Sequence, residues 1–334
     1  MNLRKKFLVL LIVVFSFIIT GCNKYDKNDI TKNLKKLLDK NKGYCLNGEL
    51  EIFNNEDSYI YDVNVYYSKD DNYKVSLKNK INNHEQIILR NNDGVYVLTP
   101  SLNKSFKFQS EWPYNNSQSY LIQTLLKDME NDENIKFEKN DNGYIVTTKV
   151  NYSNNKDLIK QNIYLDNNIN ITDVHILDKE ENVKMKMHFN KIDYNNGYDE
   201  KFFTLDENMA SVTYEKEETV SKLEDIIYPM YLPTGTYLGS QDVVATDDGE
   251  RLILTFEGEK PFMFVQETAA IPNNLMTIPV DGEPEIIADT VVALTDSSIA
   301  WSNNGVEYYV VSDTLNKDEL LSVAKSVSVM PIAK

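Results

Sequence analysis

Asn91-Asn92-Asp93-Gly94-Val95-Tyr96-Val97-Leu98-Thr99-Pro100, continuing through Phe106-Lys107-Phe108-Gln109-Ser110-Glu111-Trp112-Pro113-Tyr114 to Ser117-Gln118-Ser119-Tyr120-Leu121, is the stretch whose reading decides the fold. Asn-Asp-Gly at 92–94 is a hairpin signal, because a tight turn between antiparallel strands needs residues that accept a positive φ. Val95 to Leu98 is β-branched and aromatic, and Pro100 ends it, since proline cannot donate to a strand ladder. Ser105 to Phe108 reads as a second strand. Beyond Trp112-Pro113-Tyr114, the residues Leu121, Ile122, Leu125, Leu126 and Met129 fall at three-and-four spacing, which predicts a helix over 117–129 with Ser117 as its N-cap.

Upstream of this stretch the period is two. Gly48 to Phe53, Tyr59 to Tyr67, Tyr73 to Leu77 and Gln86 to Leu89 read as strands divided by Asn/Asp-rich turns. An amphipathic helix precedes them, with Ile30, Leu34, Leu37 and Leu38 on one face. Downstream, Ile135 to Phe137, Tyr144 to Val150, Asn162 to Tyr164, Ile171 to Ile176 and Val183 to Phe189 resume the strand pattern, with Asn142-Gly143 as a further hairpin turn. Helix, about six strands, helix, about five strands is the order of a long curved antiparallel sheet wrapped over helices. The class expected is mostly β (α+β).

At the N-terminus, Arg4, Lys5 and Lys6 precede an apolar run from Phe7 to Ile19 broken only by Ser16. A spanning helix needs roughly 20 apolar residues to cross ~30 Å of hydrocarbon, so this run is too short and reads as a signal peptide over 1–21. Ile19-Thr20-Gly21-Cys22 resembles the bacterial lipobox in every position. The resemblance implies cleavage between Gly21 and Cys22 and a covalent diacylglycerol on Cys22. Each buried methylene adds roughly 0.8 kcal/mol, so such an anchor holds a protein on a membrane durably. The expected location is the cell membrane, lipid-anchored, on the extracytoplasmic face.

About 313 residues remain after such cleavage, more than one domain of ~100–200 residues holds. Residues 1–210 carry 28 Lys and Arg against 30 Asp and Glu, whereas 211–334 carry 7 against 21. The expected organisation is a tether and first helix over 22–42, a half-barrel domain over 43–205, a linker over 206–228 and a small acidic α+β domain over 229–334. Strands are expected at Tyr237 to Ala245, Arg251 to Phe256, Phe262 to Gln266, Glu285 to Ile287, Val291 to Leu294, Ser298 to Trp301 and Val306 to Ser312. A short helix at Thr219 to Ile227 and a closing helix at Lys317 to Val327 complete the expectation. A chain this acidic repels phosphate backbones, which argues against nucleic acid as a partner.

The stretch from Asn91 to Leu121 resembles the LolA/LolB/RseB superfamily of lipoprotein carriers and envelope sensors, and most nearly its YdcC-like and GerS-like sporulation and germination lipoproteins from Gram-positive spore formers. The resemblance spans roughly 30–205. It implies a half-barrel closed over helices and two roles: docking of an envelope or spore protein, or handling of lipid or lipoprotein in a hydrophobic cavity. Phe106, Phe108, Trp112 and Tyr114 are the residues at stake. They plug the helix entrance or line a cavity for a bound lipid.

Signals of catalysis and metal binding are absent from the sequence. His84, His175 and His188 lie apart, with no HExxH or paired-cysteine spacing, and neither GxSxG, GxxxxGK[ST] nor GxGxxG occurs. Asp247-Asp248-Gly249 lacks the later ligands of a calcium loop and reads as a hairpin turn. Cys45, the second of two cysteines, has no mate for a disulfide once Cys22 is acylated and reads as a buried thiol. A non-enzymatic chain without cofactor or metal is the expectation.

Overall fold

The computed structural model describes residue 25, residues 27–54, 57–194, 197–210, residue 223, and residues 226–247, 249–303 and 305–327. The signal segment 1–21, the Gly21–Cys22 bond and Cys22 itself lie outside the described residues, as does most of the helix expected at 219–227. Among the described residues no helix is long and apolar enough to cross a membrane.

Helix α1 (Lys27–Lys40) leads into β1 (Gly43–Asn54), β2 (Asp57–Ser68), β3 (Asn72–Asn79), β4 (Glu85–Asn91), β5 (Gly94–Thr99) and β6 (Lys104–Phe108). Helix α2 (Ile122–Asn131) interrupts, and β7 (Lys136–Asn140), β8 (Gly143–Lys149), β9 (Leu158–Leu165), β10 (Ile171–Asp178) and β11 (Val183–Asp193) follow. These eleven strands form one antiparallel sheet in which β1 pairs with both β2 and β11, so the two runs of hairpins meet at its centre. Alternation explains the curvature's content: Leu46, Leu50 and Ile52 of β1 and Tyr61, Val63 and Val65 of β2 all point inward and are buried. At Gly48 the β1–β11 register shifts, and a Cβ there would stand 2.0 Å from the carbonyl oxygen of His188, so only glycine fits.

The concave face is filled by α1 and α2. Ile30 and Leu34 of the first, and Ile122, Leu125, Leu126 and Met129 of the second, are buried in the same core as the strand residues. Burial of each such side chain contributes about 2 kcal/mol relative to leaving it in water. The second helix begins at Ile122 rather than at 117, and Ser117 is not its cap. The Ser117 hydroxyl instead accepts from the Asn151 amide at 2.8 Å, which ties the approach to α2 onto the chain after β8.

Two features follow that the sequence reading lacked. A 3₁₀ turn (Glu200–Phe203) and a short helix α3 (Leu205–Ala210) fold back onto the convex face. There Phe203 is buried with Ile87, Leu89, Tyr96 and Leu98. Later, a strand at Met276–Val280 leaves the acidic segment and pairs in parallel with β6, becoming the twelfth and outermost strand of the first sheet.

The second sheet has seven strands: β12 (Thr236–Thr246), β13 (Gly249–Gly258), β14 (Phe262–Thr268), β16 (Glu283–Ile287), β17 (Thr290–Leu294), β18 (Ser298–Asn303) and β19 (Val306–Val311), with the Met276–Val280 strand numbered β15. Its order is β12-β13-β14-β19-β18-β17-β16. The closing helix α4 (Lys317–Val327) covers one face with Leu320, Leu321, Val323, Ala324 and Val327, as expected. Neither sheet closes into a barrel.

The sheets share a core, since Ala288, Val291 and Ala293 pack with the first sheet's interior. Polar side chains complete the junction. Lys104 and Glu307 form a buried ion pair at 2.6 Å. Gln86 Oε1 accepts from the Val291 amide at 2.7 Å, and the Tyr61 hydroxyl donates to the Ala288 carbonyl at 2.8 Å.

Candidate functional site

The aromatic stretch after β6 is built into the structure from both sides. Trp112 is 1% exposed and meets Tyr73 edge-on at 6.0 Å. Its amide donates to Ser110 Oγ and its carbonyl accepts from Arg90 Nη1 at 2.8 Å. Phe108 is buried, and Phe106 packs half-buried against the same core. Tyr114 stands at the surface, where its hydroxyl donates to Asp71 and the Arg90 guanidinium covers its ring at 5.2 Å. Arg90 also pairs with Asp71 at 2.7 Å, and burial with the Asp71 contact pushes the Tyr114 hydroxyl up to about 12. The part of the concavity that Phe106, Phe108 and Trp112 face is occupied by the chain's own side chains.

A cleft with room for a ligand opens between the concave face of the first sheet and the second sheet. It measures about 330 Å³, at the small end of the ~300–1,000 Å³ typical of ligand pockets. Leu50, Ile52, Met185 and Leu158 form one wall, Ile286 and Leu321 the other, with Tyr120 and Tyr152 between them. None of Phe106, Phe108, Trp112 or Tyr114 lines it.

Among the charged groups that line this cleft, Glu285 and Lys325 come from the second sheet's side and are both shifted by burial. Glu285 of β16 accepts from Asn154 Nδ2 at 2.6 Å and Asn116 Nδ2 at 3.3 Å. Asn116 is held in turn, its Oδ1 accepting from the amide and hydroxyl of Ser153. Burial raises the Glu285 carboxyl above the usual carboxylate range, partly opposed by the Asn154 hydrogen bond. Burial lowers the Lys325 ammonium, and Glu285 pulls it back up. Burial is the largest cause that raises the Tyr152 hydroxyl, and Tyr120, Asp128 and Glu285 add to it. This arrangement can hold a small polar group by hydrogen bonds and charge. A cleft with a carboxylate and an ammonium inside is a poor fit for an acyl chain, because stripping water from those groups without new partners is costly.

Glu285 falls in a strand expected at Glu285 to Ile287, but nothing in that pattern marks it as facing Asn116 and Asn154, which come from the loops before α2 and between β8 and β9. Among the described residues no group of three or more His, Cys, Asp or Glu is placed to hold a metal. His188 Nδ1 lies 2.7 Å from Asp173 across β10–β11, on the surface. Cys45 is half-buried rather than buried, beside Tyr198 on the convex side.

Residues 4–203 match the family described as sporulation protein YdcC-like. The chain is also 34% identical over 331 residues to sporulation protein YdcC of Bacillus subtilis (strain 168), covering 98% of each. The chain belongs to the YdcC-like sporulation protein family. The likeness to the Bacillus subtilis protein runs on through the acidic segment, beyond the residues that the family model matches. Among solved structures, the MucA/MucB complex of Pseudomonas aeruginosa aligns at a TM-score of 0.32 with 13% identity, covering 92% of this chain and 100% of the matched one. The CwlD amidase of Clostridioides difficile in complex with the GerS lipoprotein aligns at 0.31 with 19% identity, covering 52% and 98%.

Proposed function

We propose that this YdcC-like protein is a membrane-anchored, non-catalytic lipoprotein of the extracytoplasmic face that binds or regulates a protein partner in sporulation or spore germination. The observation that carries the reading is how much of the concavity the chain's own side chains fill. Trp112, Leu121, Ile122 and Leu125 occupy, at 1% exposure or less, the space in which a half-barrel would hold a lipid. The cleft left between the concave face and the second sheet is small and charged. The anchor rests on the lipobox ending in Cys22, and a protein held by its own acyl chains cannot ferry another lipid across an aqueous gap.

The test is intact-mass and lipid-extraction analysis of the full-length chain from a spore-forming host, with chemical crosslinking in the same cells. The expected result is a covalent diacylglycerol that Cys22→Ala removes, no stoichiometric non-covalent lipid, and a defined crosslinked protein. A stoichiometric extractable lipid that survives Cys22→Ala would instead assign the protein to lipid handling.

A further inference from the structure

Strand β12 is the outermost strand of the second sheet, hydrogen-bonded to β13 on one side only. None of its 11 residues is buried. An edge strand presents a row of free backbone donors and acceptors, and proteins ordinarily blunt such a row with lysine, proline or short length. Thr236 to Thr246 carries no Lys, Arg or Pro, and its one irregularity is a bulge at Gly239.

The register fixes what each face offers. Leu238, Gln241 and Val243 stand opposite Phe256, Leu254 and Leu252, the residues of β13 that enter the second core. They therefore lie on the face that α4 covers farther in, yet Leu238 is 41% and Val243 60% exposed. The core face runs past its cover. The chain before β12 extends this surface: Ile227 is tied to Gln266 through both its amide and carbonyl, and the Tyr228 hydroxyl donates to Gln241 Oε1 at 2.7 Å. Beside them Met230, Tyr231 and Leu232 are exposed.

The opposite face carries carboxylates among Tyr237, Ser240 and Val244. Asp242 and Glu257, which pairs with Tyr237 in register, stand on it. The nearby cations are engaged, Arg251 with Glu267 at 2.8 Å and Lys260 with Glu319. Asp242, Asp247, Glu257 and Glu259 form no ion pair among the described residues. A second copy paired through β12 would bring a second Asp242 and Glu257 to the same face.

Resting on the partner-binding reading above, we propose that β12 is the docking edge, and that it takes as an added strand an extended partner segment in which Lys or Arg alternates with apolar residues. Alternation places the apolar side chains over Leu238 and Val243 and the basic ones over Asp242 and Glu257.

The probe is a fluorescent peptide of about ten residues alternating Val and Lys, titrated by anisotropy into the full-length chain in detergent. It should bind saturably, weaken as salt rises from ~50 to ~300 mM, and bind at least about tenfold more weakly to Val243→Lys. Val243→Ile, and Ile81→Lys at a distant exposed position, should leave binding unchanged. Equal binding of a Val/Glu peptide, of a peptide with alternate amides methylated, or of the Val243→Lys variant would overturn the proposal. So would a dimer in sedimentation that Val243→Lys dissolves, which would assign the edge to a second copy. A photo-crosslinking residue at Val243 separates the two readings in cells. A partner captured from other surface positions but never from β12 removes the edge alone, whereas no partner captured from any position removes the partner-binding reading.

Discussion

Asp128 illustrates how a single buried carboxyl sets a pH dependence. It lies on α2 facing β9, where Gln161 Nε2 donates to it at 3.0 Å. Burial outweighs that hydrogen bond and pushes the carboxyl up to about 6. With the folded value above the unfolded one, the folded state binds the proton more tightly. The stabilisation is therefore full below pH ~4 and lost as pH rises through about 6. Asp128→Asn keeps an acceptor for Gln161 and abolishes the charge. It should raise stability at pH 7 by about 1–2 kcal/mol and leave it nearly unchanged at pH 4, as read by urea unfolding at the two pH values. Trp112→Ala should cost about 3–5 kcal/mol in the same assay, since the ring is 1% exposed and its removal leaves a cavity under Tyr73. The aromatic run around Trp112 stood out in the sequence, which left a helix plug and a cavity lining as its two uses. Asp128 and Glu285 did not stand out, because a carboxylate's burial depends on which distant element lies across from it.

Strand period and turn chemistry made most elements readable in advance. The hairpin at Asn91 to Gly94 closes β4 and β5, and Gly143, at φ +145°, closes β7 and β8. The departures have local causes. Met276–Val280 escapes the strand pattern because Pro279 lacks an amide donor, a defect that an outermost strand tolerates. Helix α2 starts late because Thr124 engages the Gln118 and Leu121 carbonyls, and Ser117 is used by Asn151. What no pattern within an element reveals is a pair such as Lys104 on β6 and Glu307 on β19. Removing one partner of a buried pair strands the other, so Lys104→Met should cost about 3–5 kcal/mol. The double variant Lys104→Met/Glu307→Leu should recover most of that loss, and a denaturation cycle over the four proteins measures it. A loss that the double variant doubles would mean that the two side chains act independently.

The sequence predicts a linker over 206–228, yet the two sheets are joined by a shared core, by β15 running from one to the other, and by buried polar contacts that leave little to separate cheaply. Opening the junction would expose Val291 and Ala293 and strip Gln86, Tyr61 and the Lys104–Glu307 pair of their partners. Each stranded buried group costs about 1–3 kcal/mol, more for the charged ones, so a state with one sheet folded and the other unfolded lies well above the native state. The chain should therefore unfold in one cooperative step despite its length. Its two tryptophans report the sheets separately, Trp112 in the first core and Trp301 in the second. Single-tryptophan proteins made by Trp301→Phe and Trp112→Phe should each show fluorescence and circular-dichroism transitions that coincide in denaturant. Transitions that separate within either protein would mean that the acidic segment folds as an independent unit. A partner docked on β12 would then act on that unit alone rather than on the whole body.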